Sequence, residues 1–321
     1  MLHPLARSLA GAVSAALLSV LAACAADAPT STEASVRVER VVLVTIDGLR
    51  ADAVDSMPTL DALRAVAVWT DDARSVLPAI TLPAHLSLLT GRDVTALGIR
   101  DNAFGEPEAL AMVVSGTTPV FQWIDGASDA VIGASLLPAE DLEQARDFFG
   151  LRRLTATSLD DAAIIGAAIE GATAPDAPAL MFVHLPAVDL AGHAHGWIEA
   201  GGGDAEPTLA ASYVAAARAA DRAIARLHDA LAPAIAAGET ALVITADHGG
   251  GHGVACTVDT PPEREHCSAH AGDQSVPLFI IARDAAPRRL AGVTPIVHVG
   301  PTVARLLGAP VPSWAAAALI H

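Results

Sequence analysis

Residues 36–48 read Val-Arg-Val-Glu-Arg-Val-Val-Leu-Val-Thr-Ile-Asp-Gly and give the clearest strand signal in the chain. The second half of this stretch is a continuous apolar run, which is typical of a strand covered on both faces. The run ends at Asp47 and Gly48. Ligands of open α/β sheets bind beyond the carboxyl ends of the strands, so Asp47 is a candidate functional residue.

Two further apolar strands lead to polar side chains in the same way. The predicted strand 179–185 runs out to Asp189 and His193, and the predicted strand 240–246 is followed directly by Asp247 and His248. Strands are also predicted at 130–132, 276–282 and 296–299, and helices at 58–68, 119–125, 159–174, 208–231 (stopped near Pro233) and 301–307. This alternation predicts an α/β fold with a doubly wound, mostly parallel central sheet and helices on both faces, in three layers.

The sequence Thr81-Leu-Pro-Ala-His-Leu-Ser-Leu-Leu-Thr-Gly91 predicts a short buried helix with a hydroxyl group at its start. The first N–H groups of a helix have no partners within it, and the helix dipole favours an anion there. Thr81 therefore stands where a phosphoryl or sulfuryl group can be held and attacked. From this segment alone, a threonine that only caps a core helix is an equally good interpretation.

The side chains at the three strand ends are of the types that bind zinc. Carboxylate oxygens and imidazole nitrogens are its ligands in catalytic sites. Asp189 and His193 are four residues apart, which places them on one face of a helix, and a later loop offers His270. Taken singly, each aspartate can cap a helix and each histidine can be an ordinary core or surface residue. Their recurrence at successive strand ends favours a metal site.

Composition narrows the function classes. The net charge of −17 argues against binding of nucleic-acid duplexes, which normally requires a basic face. The chain contains no lysine, and all 19 of its basic residues are arginine. No linker divides the body, so residues 38–321 are predicted to form a single catalytic domain. No obligate protein partner is evident.

The first 37 residues carry a targeting pattern. Arg7, an apolar run and then Leu21-Ala-Ala-Cys24 resemble a lipoprotein signal, which implies removal of residues 1–23 and lipidation of Cys24. Residues 24–37 then form a flexible tether, and the protein is held on the periplasmic or extracellular face of a bacterial membrane. An uncleaved membrane anchor and ordinary secretory cleavage are the alternatives. Export also favours a disulfide between Cys256 and Cys267.

Taken together, these motifs resemble the alkaline phosphatase superfamily, and most closely its type I phosphodiesterase/nucleotide pyrophosphatase branch. The resemblance covers the body of the chain from Val41 to Pro310. The matching motifs are Ile46-Asp-Gly-Leu-Arg50, Thr81-Leu-Pro-Ala-His85, Thr90-Gly91, Leu97-Gly-Ile99 with Asn102, Asp189-Leu-Ala-Gly-His193, and Asp247-His-Gly249. Ala84 and Leu97 depart from the family's pattern, at positions where the family has Asn and His.

The resemblance implies two zinc ions and a nucleophilic threonine. One zinc ion would be held by Asp189, His193 and a third histidine. The other would be held by Asp47, Asp247, His248 and the Thr81 oxygen. His270 is favoured as the third histidine because of its distance from the strand that follows it, with His266 and His252 as alternatives.

The implied activity is hydrolysis of a small-molecule phosphate ester, most closely a phosphodiester or nucleotide-like substrate. Thr81 would form a phospho-threonine intermediate, and Asn102 with the Thr81 N–H would hold a phosphoryl oxygen. Phosphomonoesterase or phosphonate hydrolase activity at the same site is an alternative. A sulfatase is a second, although threonine cannot become the formylglycine that sulfatases use. A non-catalytic metal-binding envelope lipoprotein is a third.

Overall fold

The computed structural model describes residues 36–103, 105–136, 141–199, 207–253 and 260–320. The strands in these ranges are β1 (Arg40–Ile46), β2 (Val68–Arg74), β3 (Ser128–Ile132), β4 (Arg153–Ala156), β5 (Leu180–Leu185), β6 (Ile198–Glu199), β7 (Thr208–Leu209), β8 (Thr240–Thr245), β9 (Ser275–Ile281), β10 (Arg288–Arg289) and β11 (Thr294–Pro295). Nine of these form one sheet in the order β10-β2-β9-β8-β1-β5-β3-β4, with β11 beside β2. β6 and β7 form a separate two-stranded ribbon.

Helices connect the strands of this sheet. The α-helices in the described ranges are α1 (Pro58–Leu63), α2 (Thr81–Thr90), α3 (Glu106–Ser115), α4 (Leu142–Phe149), α5 (Asp161–Ala172), α6 (Ala187–His195), α7 (Ala211–Ala237), α8 (Ala271–Gln274) and α9 (Val299–Leu306). Short 3-10 helices occupy Ala51–Ser56, Val94–Leu97, Val120–Gln122, Pro262–Arg264 and Ile296–His298. Within the described ranges, no helix is long and apolar enough to cross a membrane.

The centre of the sheet is parallel and buried, which confirms the predicted fold class. β8, β1, β5, β3 and β4 run in one direction, whereas β9 is antiparallel to both β8 and β2. Residues of β1, β5 and β8 are buried on both faces almost throughout, as the continuous apolar runs predicted. The carboxyl ends of these three neighbouring strands therefore meet at one edge of the sheet.

Three local predictions were wrong. Val68 begins β2, a strand that was not predicted and that lies between β10 and β9 in the sheet, instead of ending a helix. Residues 296–298 form a 3-10 helix rather than a strand, and Ile296 and Val299 are buried at the spacing of one such turn. Helix α7 continues through Pro233 to a left-handed Gly238, because burial of the flanking Leu231 and Ile235 outweighs the missing proline hydrogen bond.

Some predictions fall outside the described residues. The signal segment 1–23, Cys24 and most of the tether do so, and they stay predictions. Cys256 also lies outside these ranges, so its disulfide with Cys267 stays a prediction as well.

Candidate active site

The register of the parallel strands brings the first two aspartates together. Thr45 of β1 pairs with Thr245 of β8, so the chains leave the sheet side by side at Asp47 and Asp247. The Gly48 N–H donates to Oδ1 of Asp247 at 3.2 Å. Gly48 has a φ of +68°, and a Cβ there would lie 2.8 Å from the Cα of Asp189. This close approach places the third aspartate beside the first two.

Helices α6 and α2 bring the remaining predicted residues to the same edge. Asp189 lies in the first turn of α6, and Nε2 of His193 is 3.5 Å from its Oδ2. Thr81 is the first residue of α2, and its Oγ1 is 3.1 Å from Nε2 of His248. Asn102 approaches from outside the helix, where its Oδ1 accepts the Leu82 N–H at 2.9 Å.

Two overlapping groups of side chains in this cluster have the arrangement of a metal site. Asp47, Asp247 and His248 form one group, and Asp189, His248 and His266 form the other. Within each group, one ligand atom from each residue lies within 4.8 Å of the others. His193 adjoins the second group, with its ring centroid 5.1 Å from that of His266.

The three histidines of this cluster share one protonation pattern. Nδ1 of His193 lies 2.9 Å from the carbonyl oxygen of Arg264. Nδ1 of His248 lies 2.8 Å from that of Gly249, and Nδ1 of His266 lies 2.6 Å from that of Ala79. A carbonyl oxygen can only accept, so Nδ1 carries the proton and Nε2 keeps its lone pair. An imidazole held by a carbonyl in this way presents Nε2 to a metal.

His270, which the sequence spacing favoured as the third histidine, is not part of this cluster. Its Nδ1 accepts a hydrogen bond from the Gly272 N–H at 3.0 Å, which is the opposite protonation pattern. Its ring stacks on His252, with the centroids 3.5 Å apart. His266 takes the place beside Asp189 and stacks on His248, with centroids 3.8 Å apart.

The buried carboxylates of the cluster fit a cation. Asp47 Oδ1, Asp189 Oδ1 and Asp247 Oδ2 have no hydrogen-bond partner among the described residues. Burial, reinforced by the charges of the neighbouring aspartates, raises the pKa of Asp47 well above its usual range, and burial raises the pKa of Asp189. Without a cation, these groups are thus driven toward the neutral form. A divalent ion satisfies both the free oxygens and the excess negative charge.

Imidazoles with lowered pKa values complete the fit. Burial lowers the pKa of His266 to about 4, with a further contribution from His248, and burial also lowers the pKa of His248 itself. Both rings are therefore neutral near pH 7, as metal ligands must be. Burial opposes the ionisation of Asp247, but the nearby His248 and His85 outweigh it and lower the pKa of Asp247 below its ordinary value.

Two further buried histidines, His184 and His85, lie beside the aspartates. Nε2 of His184 lies 2.9 Å from Oδ2 of Asp47 and makes a hydrogen bond with it. Nδ1 of His85 makes its hydrogen bond with the Thr81 carbonyl oxygen at 2.8 Å and lies 3.3 Å from Oδ2 of Asp247. Burial lowers the pKa of His184 to about 3. A histidine within the otherwise apolar run of β5 was the available sequence signal, because a buried imidazole needs a polar partner.

The comparisons with known proteins agree with this geometry. Residues 41–137 and 138–276 match the model of the family described as type I phosphodiesterase/nucleotide pyrophosphatase. No curated protein sequence matches the chain.

Solved structures share the fold at low identity. Murine ectonucleotide pyrophosphatase/phosphodiesterase 5 in complex with AMP is 15% identical, with a TM-score of 0.61, over 85% of this chain and 96% of that one. The phosphonate monoester hydrolase of Silicibacter pomeroyi is 15% identical, with a TM-score of 0.56, over 88% and 76%. The zinc complex of the periplasmic domain of EptC from Escherichia coli is 15% identical, with a TM-score of 0.56, over 87% and 84%.

These solved structures show that the sheet and its helices have the fold of the alkaline phosphatase superfamily, and the family match covers most of the chain, including the three strand ends that carry Asp47, Asp189 and Asp247. The chain therefore belongs to the type I phosphodiesterase/nucleotide pyrophosphatase family, a family of phosphate-ester hydrolases within that superfamily.

Proposed function

We propose that this protein hydrolyses phosphodiesters through a phospho-threonine intermediate at a site that holds two divalent metal ions. The observation that carries the proposal is the position of the Thr81 hydroxyl. It lies at the first residue of α2 and 3.1 Å from Nε2 of His248, inside a cluster of buried carboxylates and imidazoles. A threonine that only caps a core helix does not require buried carboxylates and imidazoles around its hydroxyl group.

We divide the residues of the cluster between two proposed metal sites. Asp189, His193 and His266 would hold one ion. The residues that would hold the other are Asp47, Asp247, His248 and Thr81. The mixture of imidazole and carboxylate donors favours zinc. When bound, two such ions supply Lewis-acid activation of the hydroxyl group and neutralise charge on the reacting oxygens.

Thr81 and Asn102 have distinct tasks in the proposed reaction. Oγ1 of Thr81 forms a bond to phosphorus while the bond to the leaving oxygen breaks; the hydroxyl proton passes to solvent, and the leaving oxygen takes up a proton. Water then hydrolyses the phospho-threonine, which yields a phosphate monoester and restores Thr81. Asn102 is held by the Leu82 N–H through its oxygen, so its amide group is the part that can donate to a phosphoryl oxygen.

The placement of the arginines favours diesters over monoesters, which carry an additional negative charge. The chain has no lysine, and the arginines closest in sequence to the Asp47 and Asn102 motifs are engaged elsewhere. Arg100 donates to the Thr95 carbonyl oxygen at 3.2 Å. Arg50 donates to the Gly250 carbonyl oxygen and to Asp52. Neither side chain is therefore placed to neutralise a second phosphoryl charge.

A substrate panel tests the proposed reaction. We expect the purified chain, loaded with zinc, to hydrolyse bis-p-nitrophenyl phosphate faster than p-nitrophenyl phosphate, phenylphosphonate esters or p-nitrophenyl sulfate, and to contain two zinc ions. Preference for the sulfate, or fewer than two ions per chain, contradicts the proposal. Preference for the monoester or the phosphonate supports the alternative substrates at the same site.

Thr81 separates an enzyme from a protein that only binds metal. We expect Thr81→Ala to lower kcat by at least about 10³-fold while most of the zinc stays bound, since it removes the nucleophile but not the other ligands. Thr81→Ser should keep partial activity. Thr173→Ala, at the end of α5, is the matched control and should match the parent. A Thr81→Ala variant with normal turnover excludes the proposed mechanism.

We also infer that the protein is lipid-anchored through Cys24 to the periplasmic or extracellular face of a bacterial membrane. The inference rests on the sequence pattern that ends at Cys24. Expression with labelled palmitate tests it: label should enter the parent chain and be absent from Cys24→Ser. Equal labelling of the two chains contradicts it.

A further inference from the structure

We propose that Trp197 is a positioning residue that holds the segments carrying the metal ligands at their required separation. Trp197 follows α6 after a single glycine and is completely buried. It lies outside every motif that pointed to the site. This inference rests on the proposed metal site and adds to it a residue that touches neither substrate nor metal.

The indole ring is clamped between two glycines that adjoin metal ligands. Gly192 precedes His193 on α6, and Gly250 lies two residues after His248. A Cβ added to either glycine would overlap the six-membered ring of Trp197. The two backbones therefore approach the same part of one indole from its two faces, and the thickness of the ring sets the distance between α6 and the segment after β8.

The indole nitrogen ties in the segment of Asp47. Trp197 Nε1–H donates to the Gly48 carbonyl oxygen at 2.9 Å, and the Tyr213 hydroxyl donates to the same oxygen at 3.0 Å. Both lone pairs of this carbonyl are thus occupied, and the turn after Asp47 is fixed. Through its backbone, Trp197 also donates to the carbonyl oxygen of Glu263 at 2.9 Å, which ties in the segment leading to His266.

The indole ring also borders two of the imidazoles directly. The rings of His193 and Trp197 are edge-to-face, with centroids 5.0 Å apart and planes at 80°. Those of His266 and Trp197 are 5.7 Å apart at 72°. Each imidazole is already held at Nδ1 by a carbonyl oxygen, so the indole blocks the remaining rotation about that hydrogen bond. Nε2 of both rings stays directed toward Asp189.

Trp197 therefore contacts the four segments that supply every proposed ligand except Thr81: the turn after β1, α6, the segment after β8, and the segment leading to His266. Replacing the indole with a smaller side chain leaves a cavity between two glycine-lined backbones, which are free to move into it. Loss of a group that orients metal ligands typically lowers metal affinity about 10–100-fold. We expect a loss of this size for zinc when Trp197 is replaced by leucine.

The protein supplies a matched control in Trp123. This indole is also largely buried, donates its Nε1–H to Oγ1 of Thr118 at 2.9 Å, and packs edge-to-face on Trp314 at 5.7 Å. Trp123→Leu therefore removes the same ring and the same kind of hydrogen bond away from the metal ligands. This variant should lower the stability of the fold as Trp197→Leu does, but it should leave the candidate metal ligands in place.

The first measurement is the zinc dissociation constant, by competition with a chromogenic chelator, for the parent, Trp197→Leu, Trp197→Phe and Trp123→Leu. We expect at least a tenfold weakening for Trp197→Leu and a smaller one for Trp197→Phe, which keeps an aromatic ring but loses the bond to Gly48. Trp123→Leu should bind zinc within twofold of the parent, although we expect thermal unfolding to show that both leucine variants are less stable. If Trp197→Leu does not fold, Trp197→Phe carries the comparison.

The second measurement is tryptophan fluorescence during zinc titration. Because Trp197 borders the imidazoles of His193 and His266, its emission should change when zinc binds. The change should persist in Trp123→Phe and disappear in Trp197→Phe. Neither readout depends on turnover.

Two results overturn the inference. One is parent-like zinc affinity in both Trp197 variants; the other is an equal loss of affinity in Trp123→Leu. If the parent itself binds no zinc, the proposed metal site fails together with this inference. If the parent binds zinc and the Trp197 variants match it, only the inference about Trp197 fails.

Discussion

The Nε2–H group of His184 donates to Oδ2 of Asp47 at 2.9 Å, and Oδ1 of the same carboxylate faces Nε2 of His248 at 3.4 Å. Oδ2 of Asp47 is thus held by a hydrogen bond within the protein, and Oδ1 is directed toward the cluster of candidate metal ligands. Burial lowers the pKa of His184 to about 3, so the imidazole is a neutral donor throughout the working pH range.

Removal of this donor should weaken the metal site without touching a ligand. We expect His184→Leu to lower zinc affinity about 10–100-fold, because Asp47 loses the bond that orients it. Titration calorimetry of zinc into metal-free protein measures the effect. His228→Leu, on α7, is the matched control and should bind like the parent; unchanged affinity in His184→Leu would show that Asp47 needs no support.

Alanine substitutions of His266 and His270, which lie in the same loop, should have opposite effects on zinc content. We expect His266→Ala to lose one of two zinc ions and most of its activity, because His266 presents a free Nε2 beside Asp189. His270→Ala should keep both ions, since its Nδ1 accepts from Gly272 and its ring stacks on His252. Metal analysis of the two variants side by side decides between them, and the reverse pattern would restore the assignment that the sequence favoured.

Metal removal should destabilise the whole domain. The carboxylates of Asp47, Asp189 and Asp247 are buried with free oxygens, so stripped protein holds uncompensated polar groups at the centre of the sheet edge. Zinc at about a thousand times its dissociation constant stabilises the folded state by about 4 kcal/mol per site. We expect a chelator to lower Tm and added zinc to restore it. Superimposable melting curves with and without chelator would contradict this.

Asp161 should give the protein a pH-dependent stability. Its carboxylate lies at the start of α5, where Oδ1 accepts the Ala187 N–H at 3.3 Å and Oδ2 has no partner among the described residues. Burial raises the pKa of Asp161 to about 7. The folded state thus keeps a proton that the unfolded chain releases near pH 4, and stability is lost as the pH rises from about 4 to about 7.

Asp161→Asn removes this titration but can keep the acceptor for Ala187. We expect the variant to gain stability relative to the parent as the pH rises from 5 to 8, by at most about 3 kcal/mol at 1.4 kcal/mol for each of the two pH units between 5 and the folded-state pKa. Urea unfolding at both pH values, with zinc held constant, measures the difference. Asp229→Asn, on an exposed part of α7, should show none. A parent-like pH dependence in Asp161→Asn would mean that Asp161 does not titrate in this range.

The strand ends were predictable from the sequence because a continuous apolar run fixes both the strand and the residue that follows it. Asp47 and Asp247 illustrate this, since parallel register alone makes them neighbours. The strand β2 was not predictable in the same way, because its sequence mixes apolar and charged residues and several of them are only partly buried. Its pairing with β9 depends on contacts distant in sequence.

The choice of the third histidine of the cluster could not be predicted from its distance in sequence to the next strand. His266 and His270 lie in one irregular loop, and their separation from β9 does not determine which ring turns inward. The carbonyl oxygen of Ala79 does so, by accepting the His266 Nδ1–H. The proposed role of Trp197 was not predictable for a related reason. It depends on the close approach of Gly192 and Gly250 to the indole ring, and the sequence does not show that these two glycines lie close together.

The hydrogen bond between His266 and Ala79 should limit which residues between β8 and β9 can vary among related proteins. Ala79 lies two residues before Thr81, so a bond of 2.6 Å joins His266 to the segment that carries the proposed nucleophile. We expect insertions and substitutions elsewhere between β8 and β9 to change substrate preference, provided that this attachment is kept. Natural variation in the loop should therefore be wide on either side of His266 and narrow at His266 itself.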